Sequence, residues 1–328
     1  MSVTTPRVDL PAAGTPGAVT DARTAEGRSQ PTKDRFGRFV ETWLRGHSIL
    51  VYLFLYIPII VVVVFSFNGT ARRVTQWDGV SLKWYASVLS DKVIQSALMN
   101  SFIVAISTAI ISTIFGTMAA LGLQRAPKWF QRPFEALTFV SIIVPEIVIA
   151  LATLVFFSTS FDIINPIFDT KFKLGFPTII AAHALFNISL VMLLVRARLS
   201  GMDRTHVEAS YDLFGTPWRT FWQITFPQLL PAIVAGFLLS FTFSFDDYVI
   251  TTFVSGAGST TLPLYVFSTI RKGVTPATNA VAAIMLIITL TILLIGQLLV
   301  ARNARRTGAR GRDATVASML AEQTGGAD

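Results

Sequence analysis

Six stretches of the chain run for about 20 residues with few charged side chains: 49–67, 96–123, 134–158, 176–197, 228–253 and 278–301. That length crosses the hydrocarbon core of a bilayer as a helix. A backbone in lipid has no water to satisfy its polar groups, so helices are the reading for these runs. The pattern predicts an all-α integral membrane protein with six transmembrane helices. The second and third runs are joined by "QRAPKWFQR", a tight basic turn. Ahead of the first, "KDRFGRFVETWLRGHS" (33–48) places Phe36, Phe39, Val40, Trp43 and Leu44 at helical spacing among Arg and Lys. This suggests an interfacial amphipathic helix, the alternative being an extension of the first span. Residues 1–32, rich in Ala, Thr, Pro and Gly, read as a disordered cytoplasmic tail too polar for a signal peptide. Residues 302–328 read as a basic cytoplasmic tail.

Composition agrees with the pattern. Of 328 residues 52% are apolar and 14% charged, against about 25% charged in soluble domains. There is no cysteine, and the three histidines, His47, His183 and His206, have no ligand spacing, so no metal site is expected. The net charge of +8 lies mostly in tails and short loops flanking the spans, which marks topology rather than nucleic-acid binding. With both termini cytoplasmic, 19 of the 27 Lys and Arg fall on the inner side. Arg72, Arg73, Lys83 and Lys92 in the first outer loop oppose that orientation without reversing it.

The loop between the fourth and fifth spans is unusual. Asp203 is placed to cap a short helix ending near Phe214 and Gly215, and Thr216-Pro217 reads as a second helix start. Pro227 is expected to stop that second helix. Tyr211, Phe214, Trp218, Phe221 and Trp222 would then form a ring-bearing face on the cytoplasmic side. A contiguous exposed apolar patch marks a partner surface. The alternative is the headgroup zone, which Glu208 and Asp212 fit poorly.

The segment "EASYDLFGTPWRTFWQITFPQLLP" resembles the EAA loop of ABC-importer permeases. Glu208, Ala209 and Ser210 match its opening, with Ser for the second Ala. Ile224, Phe226 and Pro227 match its close, with Phe for Leu. The usual Gly position is held by Phe214, and Gly215 follows one residue late. "LSFTFSFDDYVITTFVSG" (239–256), "LPLYVFSTIRKGVTPATNAVA" (262–282), "SLKWYASVL" and "VPEIVIA" are similar to the PotC type of permease in spermidine/putrescine importers. The resemblance covers about 48–302. It implies a type I importer permease fold with a cytoplasmic coupling loop over 203–227. Its helix from about Arg204 to Phe214 would dock in a cleft of an ATPase, Glu208 pairing with a basic group there. Residues implied in coupling are Glu208, Ala209, Ser210, Tyr211, Asp212, Phe214, Gly215, Trp218 and Pro227. Implied partners are a second homologous permease, two ATPase subunits and an extracytoplasmic polyamine-binding protein. ATP and Mg would be bound by the ATPase. The chain carries no Gly-x-x-x-x-Gly-Lys-Ser/Thr loop, and "GAGSTT" (256–261) lacks the Lys. No catalytic residue is assigned.

Acids within the spans need an account, since each costs roughly 2.5–3.5 kcal/mol at a helix centre. Glu146 follows Pro145 near the middle of the third span, where the proline should bend the helix. Asp246 and Asp247 lie in the outer half of the fifth; as neighbours they point about 100° apart unless the helix breaks there. With Phe245 and Tyr248 they offer carboxylates and aromatic faces to a polycation. Alternatively they pair with the partner permease or cap a broken helix. His183 and Asn187, one turn apart, fit interhelical hydrogen bonds. Arg271 and Lys272 could receive a binding protein or simply be solvated. Other classes are an ion-coupled secondary transporter, which would need internal repeats, and a membrane enzyme, which would need converging catalytic groups.

Overall fold

A computed structural model describes residues 35–69 and 77–324. The predicted tail 1–32, together with Arg72 and Arg73, lies outside the described residues, as do the side chains of the C-terminal tail from 303 onward. The chain separates into two compact units, up to Pro58 and from Ile59. Within the first, Trp43 stacks on His47 with ring centroids 5.6 Å apart, and Arg45 pairs with Glu41 at 2.7 Å.

Helix α1 (Arg35–Ser66) is continuous, so the amphipathic stretch and the first span are one helix. Helix α2 (Lys83–Ser90) is tied to the preceding loop. The Trp84 indole donates to the Asn68 carbonyl at 2.9 Å, and the Tyr85 hydroxyl meets that of Ser66 at 2.6 Å. Asp91 starts α3 (Lys92–Arg125) by accepting from the Val93 and Ile94 amides, and Ala126-Pro127 ends it. Helices α4 (Lys128–Ile143), α5 (Glu146–Phe168) and α6 (Phe176–Ser200) follow. Then come α7 (Thr205–Asp212), α8 (Pro217–Thr220), a π-helical stretch over Phe221–Thr225 and α9 (Phe226–Asp246). Helices α10 (Val249–Val254), α11 (Leu262–Ile270) and α12 (Pro276–Thr324) complete the order.

Six helical segments have the length and apolarity of a membrane span: Phe39–Ser66, Lys92–Arg125, Glu146–Phe168, Phe176–Ser200, Pro217–Asp246 and Pro276–Leu298. Beyond shifts at their ends, two differ from the expected runs in how they are built. The third span, read as one run over 134–158, is interrupted at Val144 and Pro145, both extended, so α4 and α5 are separate helices. The residue before a proline is pushed out of the helical region, and here that preference wins over the apolar run. The fifth span begins at Pro217, because Pro227 does not stop the helix. The Phe226 amide reaches back five residues to the Phe221 carbonyl. This widened turn absorbs the register change immediately before Pro227, which has no donor to offer.

Helices α3, α6 and α9 pack against one another. At one end of this bundle Ala120, Leu123, Val191, Met192, Val195, Leu199 and Leu229 form a dry core. Further along, Phe241 and Phe245 stack 5.5 Å apart and close on Phe102. Helix α4 lies along α6, where Arg196 pairs with Glu135.

Candidate functional site: a ring-bearing loop and an acid junction

Two places combine chemistry with unusual backbone. The first is the loop after α6. Asp203 accepts from the Thr205 amide at 2.9 Å and its hydroxyl at 2.6 Å, fixing the start of α7. Those two donors hold the Asp203 carboxyl below its ordinary pKa. At the other end the Gly215 amide donates to the Ser210 carbonyl at 2.7 Å and the Phe214 amide to that of Tyr211 at 3.0 Å. These are the two bonds of a Schellman stop, with Phe214 in the left-handed position at φ 58°. Phe214 therefore does the work of the usual glycine in place, one residue ahead of Gly215. Gly215 is needed for space: a Cβ there would come within 2.6 Å of the Ser210 carbonyl oxygen. The Ser210 and Thr220 hydroxyls, 2.8 Å apart, pin α7 to α8. Thr216 caps α8 by accepting from Arg219, with Pro217 first in the helix.

Of the rings predicted on this loop Phe221 is half-buried, and the other four are not spent on a core. Phe214 is 97% exposed, Leu213 81% and Trp218 72%, while Tyr211 and Trp222 are also exposed. Trp218, Trp222 and Phe226, one turn apart, form a row of edge-on and tilted ring contacts with centroids 5.7 and 4.9 Å apart. Glu208, Ala209 and Asp212 are exposed on α7. The loop thus presents a rigid, capped helix with apolar and acidic groups outward.

The second place is where helices break. The chain leaves helical geometry at Asp247, which is extended, and resumes at α10. The break lets the two neighbouring acids diverge. Asp247 turns inward and is 8% exposed. Its Oδ2 meets His183 Nε2 at 2.9 Å and accepts from the Thr251 amide and hydroxyl, each at 2.8 Å. Its Oδ1 accepts from the Ile250 amide at 3.3 Å. His183 Nδ1 meets the Ser244 hydroxyl at 2.7 Å. Asp246 stays exposed and accepts from the Thr289 hydroxyl at 3.5 Å. Glu146 is also exposed and opens α5, where the positive end of the helix suits a carboxylate. It lies beside Asp247. Tyr248 stacks on Phe267 at 3.9 Å, and its hydroxyl accepts from Arg271 at 3.4 Å.

This arrangement sorts the predicted acids. Glu146, which faces Asp247, and Asp246, which meets Thr289, are both exposed, whereas Asp247 is buried and held by His183 and by the cap it gives α10. Phe245, expected beside the path, is fully buried against Phe241 and Phe102 and faces the core instead. Glu146 begins a helix rather than sitting mid-span. The partnership of His183 with Asp247 was missed, because 64 residues separate them. The local part was readable: an acid three and four residues ahead of Ile250 and Thr251 is a helix-start signal.

A family model described as "Binding-protein-dependent transport system inner membrane component" matches residues 112–309. The chain belongs to that family. This permease is 38% identical over 239 residues to the putrescine transport system permease protein PotI of Escherichia coli strain K12, covering 73% of the chain and 83% of the relative. To the spermidine/putrescine transport system permease protein PotC of Haemophilus influenzae it is 35% identical over 254 residues, 77% of the chain and 95% of the relative. In fold the permease is similar to a membrane chain of a bacterial ABC transporter that imports alginate, with TM-score 0.68 at 13% identity over 82% of this chain and 98% of that one. The MetNI methionine ABC transporter in an inward-facing form gives 0.53 at 15% identity, over 64% and 96%. The permease therefore has the ABC-importer membrane-subunit fold, in a multi-pass chain whose described residues are mostly helical.

Proposed function

We propose that this permease forms half of the translocation path of an ATP-driven importer for polyamines such as spermidine and putrescine. The observation that carries the reading is the α7 loop, a rigid helix capped at both ends whose rings and acids point away from its own bundle. Such a surface suits a docking cleft on a soluble subunit, with Glu208 meeting a basic group and Phe214 and Trp218 filling the cleft. ATP and its Mg then belong to two partner ATPases, and the chain needs no nucleotide site of its own. The remaining partners are a second homologous permease and an extracytoplasmic binding protein, and both termini of the chain face the cytoplasm. The curated relatives are named for putrescine and spermidine, and the junction supports a cation as cargo. Glu146 and Asp246 are exposed carboxylates at this junction, the groups an ammonium needs on leaving water, and Tyr248 follows two residues after Asp246. Asp247 shapes this path from behind, by holding the break that separates it from Asp246.

The assembled complex, reconstituted in liposomes with its binding protein, tests the reading against a panel of polyamines, amino acids and sugars. ATP-dependent uptake of a polyamine is expected. Uptake driven by an ion gradient without ATP would instead indicate a secondary transporter. Glu208→Lys should release the ATPase while the permease remains inserted; undiminished co-purification would remove Glu208 from the contact.

A further inference from the structure

A layer of the α3–α6–α9 bundle contains polar atoms that protein alone does not satisfy. Its register follows from close packing one turn away. A Cβ added at Gly116 would approach Val191 Cβ to 2.8 Å, and one at Gly236 would approach Val191 Cγ1 to 3.1 Å, so these three residues share a level. Four residues toward the acid junction, allowing for the opposite direction of α9, lie Ser112, Asn187 and Ser240. Four further lie Thr108, His183 and Ser244, and the 2.7 Å contact between His183 and Ser244 confirms the register.

The Ser112, Ser240 and Thr108 hydroxyls and the Asn187 Oδ1 are buried and have no hydrogen-bond partner among the described residues. All four side chains are at least nine-tenths buried: Thr108 0%, Ser112 0%, Ser240 1% and Asn187 2% exposed. The Asn187 amide nitrogen donates to the His183 carbonyl at 3.0 Å, which fixes the amide and leaves its oxygen as the open acceptor. Within a membrane bundle such atoms have no bulk solvent to turn to. A buried water typically takes two to four polar partners, and here three helices supply four in adjacent layers. The side toward Gly116 and Gly236 is sealed by Val191. A cation is a poorer fit, since none of the four groups carries charge and both oxygens of Asp247 are already engaged.

We propose that Thr108, Ser112, Asn187 and Ser240 bind a small cluster of buried water that bridges α3, α6 and α9 next to the His183–Asp247 pair. Bridging water re-forms its bonds after small displacements, so this seam tolerates relative movement of three tightly packed helices. The inference does not depend on the cargo.

The full-length protein in lipid nanodiscs provides the test. Millisecond hydroxyl-radical footprinting should modify His183 despite its burial, because radicals form from the water beside it. Asn187→Leu, which fills the site with apolar atoms, should lower the melting temperature by about 2 °C or more. Its effect and that of Ser112→Ala should be non-additive in the double variant, as expected for groups sharing one cluster. A dry layer would give the opposite: no labelling of His183 and a higher melting temperature for Asn187→Leu. A melting temperature that depends on replacing sodium or potassium by N-methylglucamine would also overturn the proposal, in favour of a cation. Should Asn187→Leu fail to insert, footprinting of the unaltered protein decides alone.

Discussion

Phe214 is held in a conformation that L-residues avoid, at a cost of roughly 1–2 kcal/mol, and its ring contacts almost nothing in this chain. A side chain that is strained and exposed stabilises nothing here, which is why its proposed role is to meet a partner. Phe214→Gly should therefore separate two properties. The left-handed stop becomes easier, and the melting temperature should rise by an amount worth about 1 kcal/mol. Retention of the ATPase on the purified permease should fall, because the ring is gone. A variant that melts higher and holds the ATPase equally well would show that the ring does not dock. The counterpart at the junction is Asp247. Its four hydrogen bonds are internal, so removing the carboxylate takes away the partner of His183 Nε2 in a buried site. Asp247→Ala should cost about 3–5 kcal/mol of stability, seen as a lower melting temperature even without cargo. An unchanged melting temperature with altered transport would return Asp247 to the path itself.

At the scale of elements, the irregular pieces carry the site. The break at Val144-Pro145 sets Glu146 at the head of α5, and the break at Asp247 divides α9 from α10. Pro145→Ala restores a backbone donor and frees Val144 from its extended preference. Helix α4 should then run on toward α5. Because the chain has no cysteine, spin labels on introduced cysteines in α4 and α5 can report this directly. The expected result is a longer distance between labels placed well apart on the two helices, together with weaker cargo-stimulated ATP hydrolysis. These elements also show what periodicity reveals. The apolar runs of α1, α3, α6 and α12 were legible because lipid demands about 20 apolar residues in sequence. Thr216-Pro217 was legible because capping is local. Pro145 was recognised but read as a bend, since an apolar run does not say whether tertiary contacts will hold a kinked helix together. Pro227 was misread as a stop, because the widened turn at Phe221–Thr225 has no signature in hydrophobic pattern. Phe245 was misplaced for a related reason: pattern gives the span, whereas only the neighbouring Phe102 and Phe241 decide which face is core.

For the whole molecule, coupling requires that the α7 loop and the acid junction be served from opposite sides of the membrane. The proposed topology, argued from the distribution of Lys and Arg, puts the loop in the cytoplasm and the segment between α5 and α6 outside. Two single-cysteine reporters on a chain without native cysteine test this unambiguously. Leu213, 81% exposed in the loop, and Lys171, exposed between α5 and α6, are the positions for Leu213→Cys and Lys171→Cys. In spheroplasts, a membrane-impermeant maleimide should label Lys171→Cys at once and Leu213→Cys only after permeabilisation. Co-expression of the ATPase should then slow labelling at Leu213→Cys severalfold without affecting Lys171→Cys, because docking covers the rings. External labelling of Leu213→Cys would invert the topology and make ATPase docking impossible. Equal labelling with and without the ATPase would keep the topology and move the docking surface elsewhere. In the proposed mechanism, energy supplied in the cytoplasm would reach the junction through α6 and α9, the two helices that flank the loop and lead to His183 and Asp247.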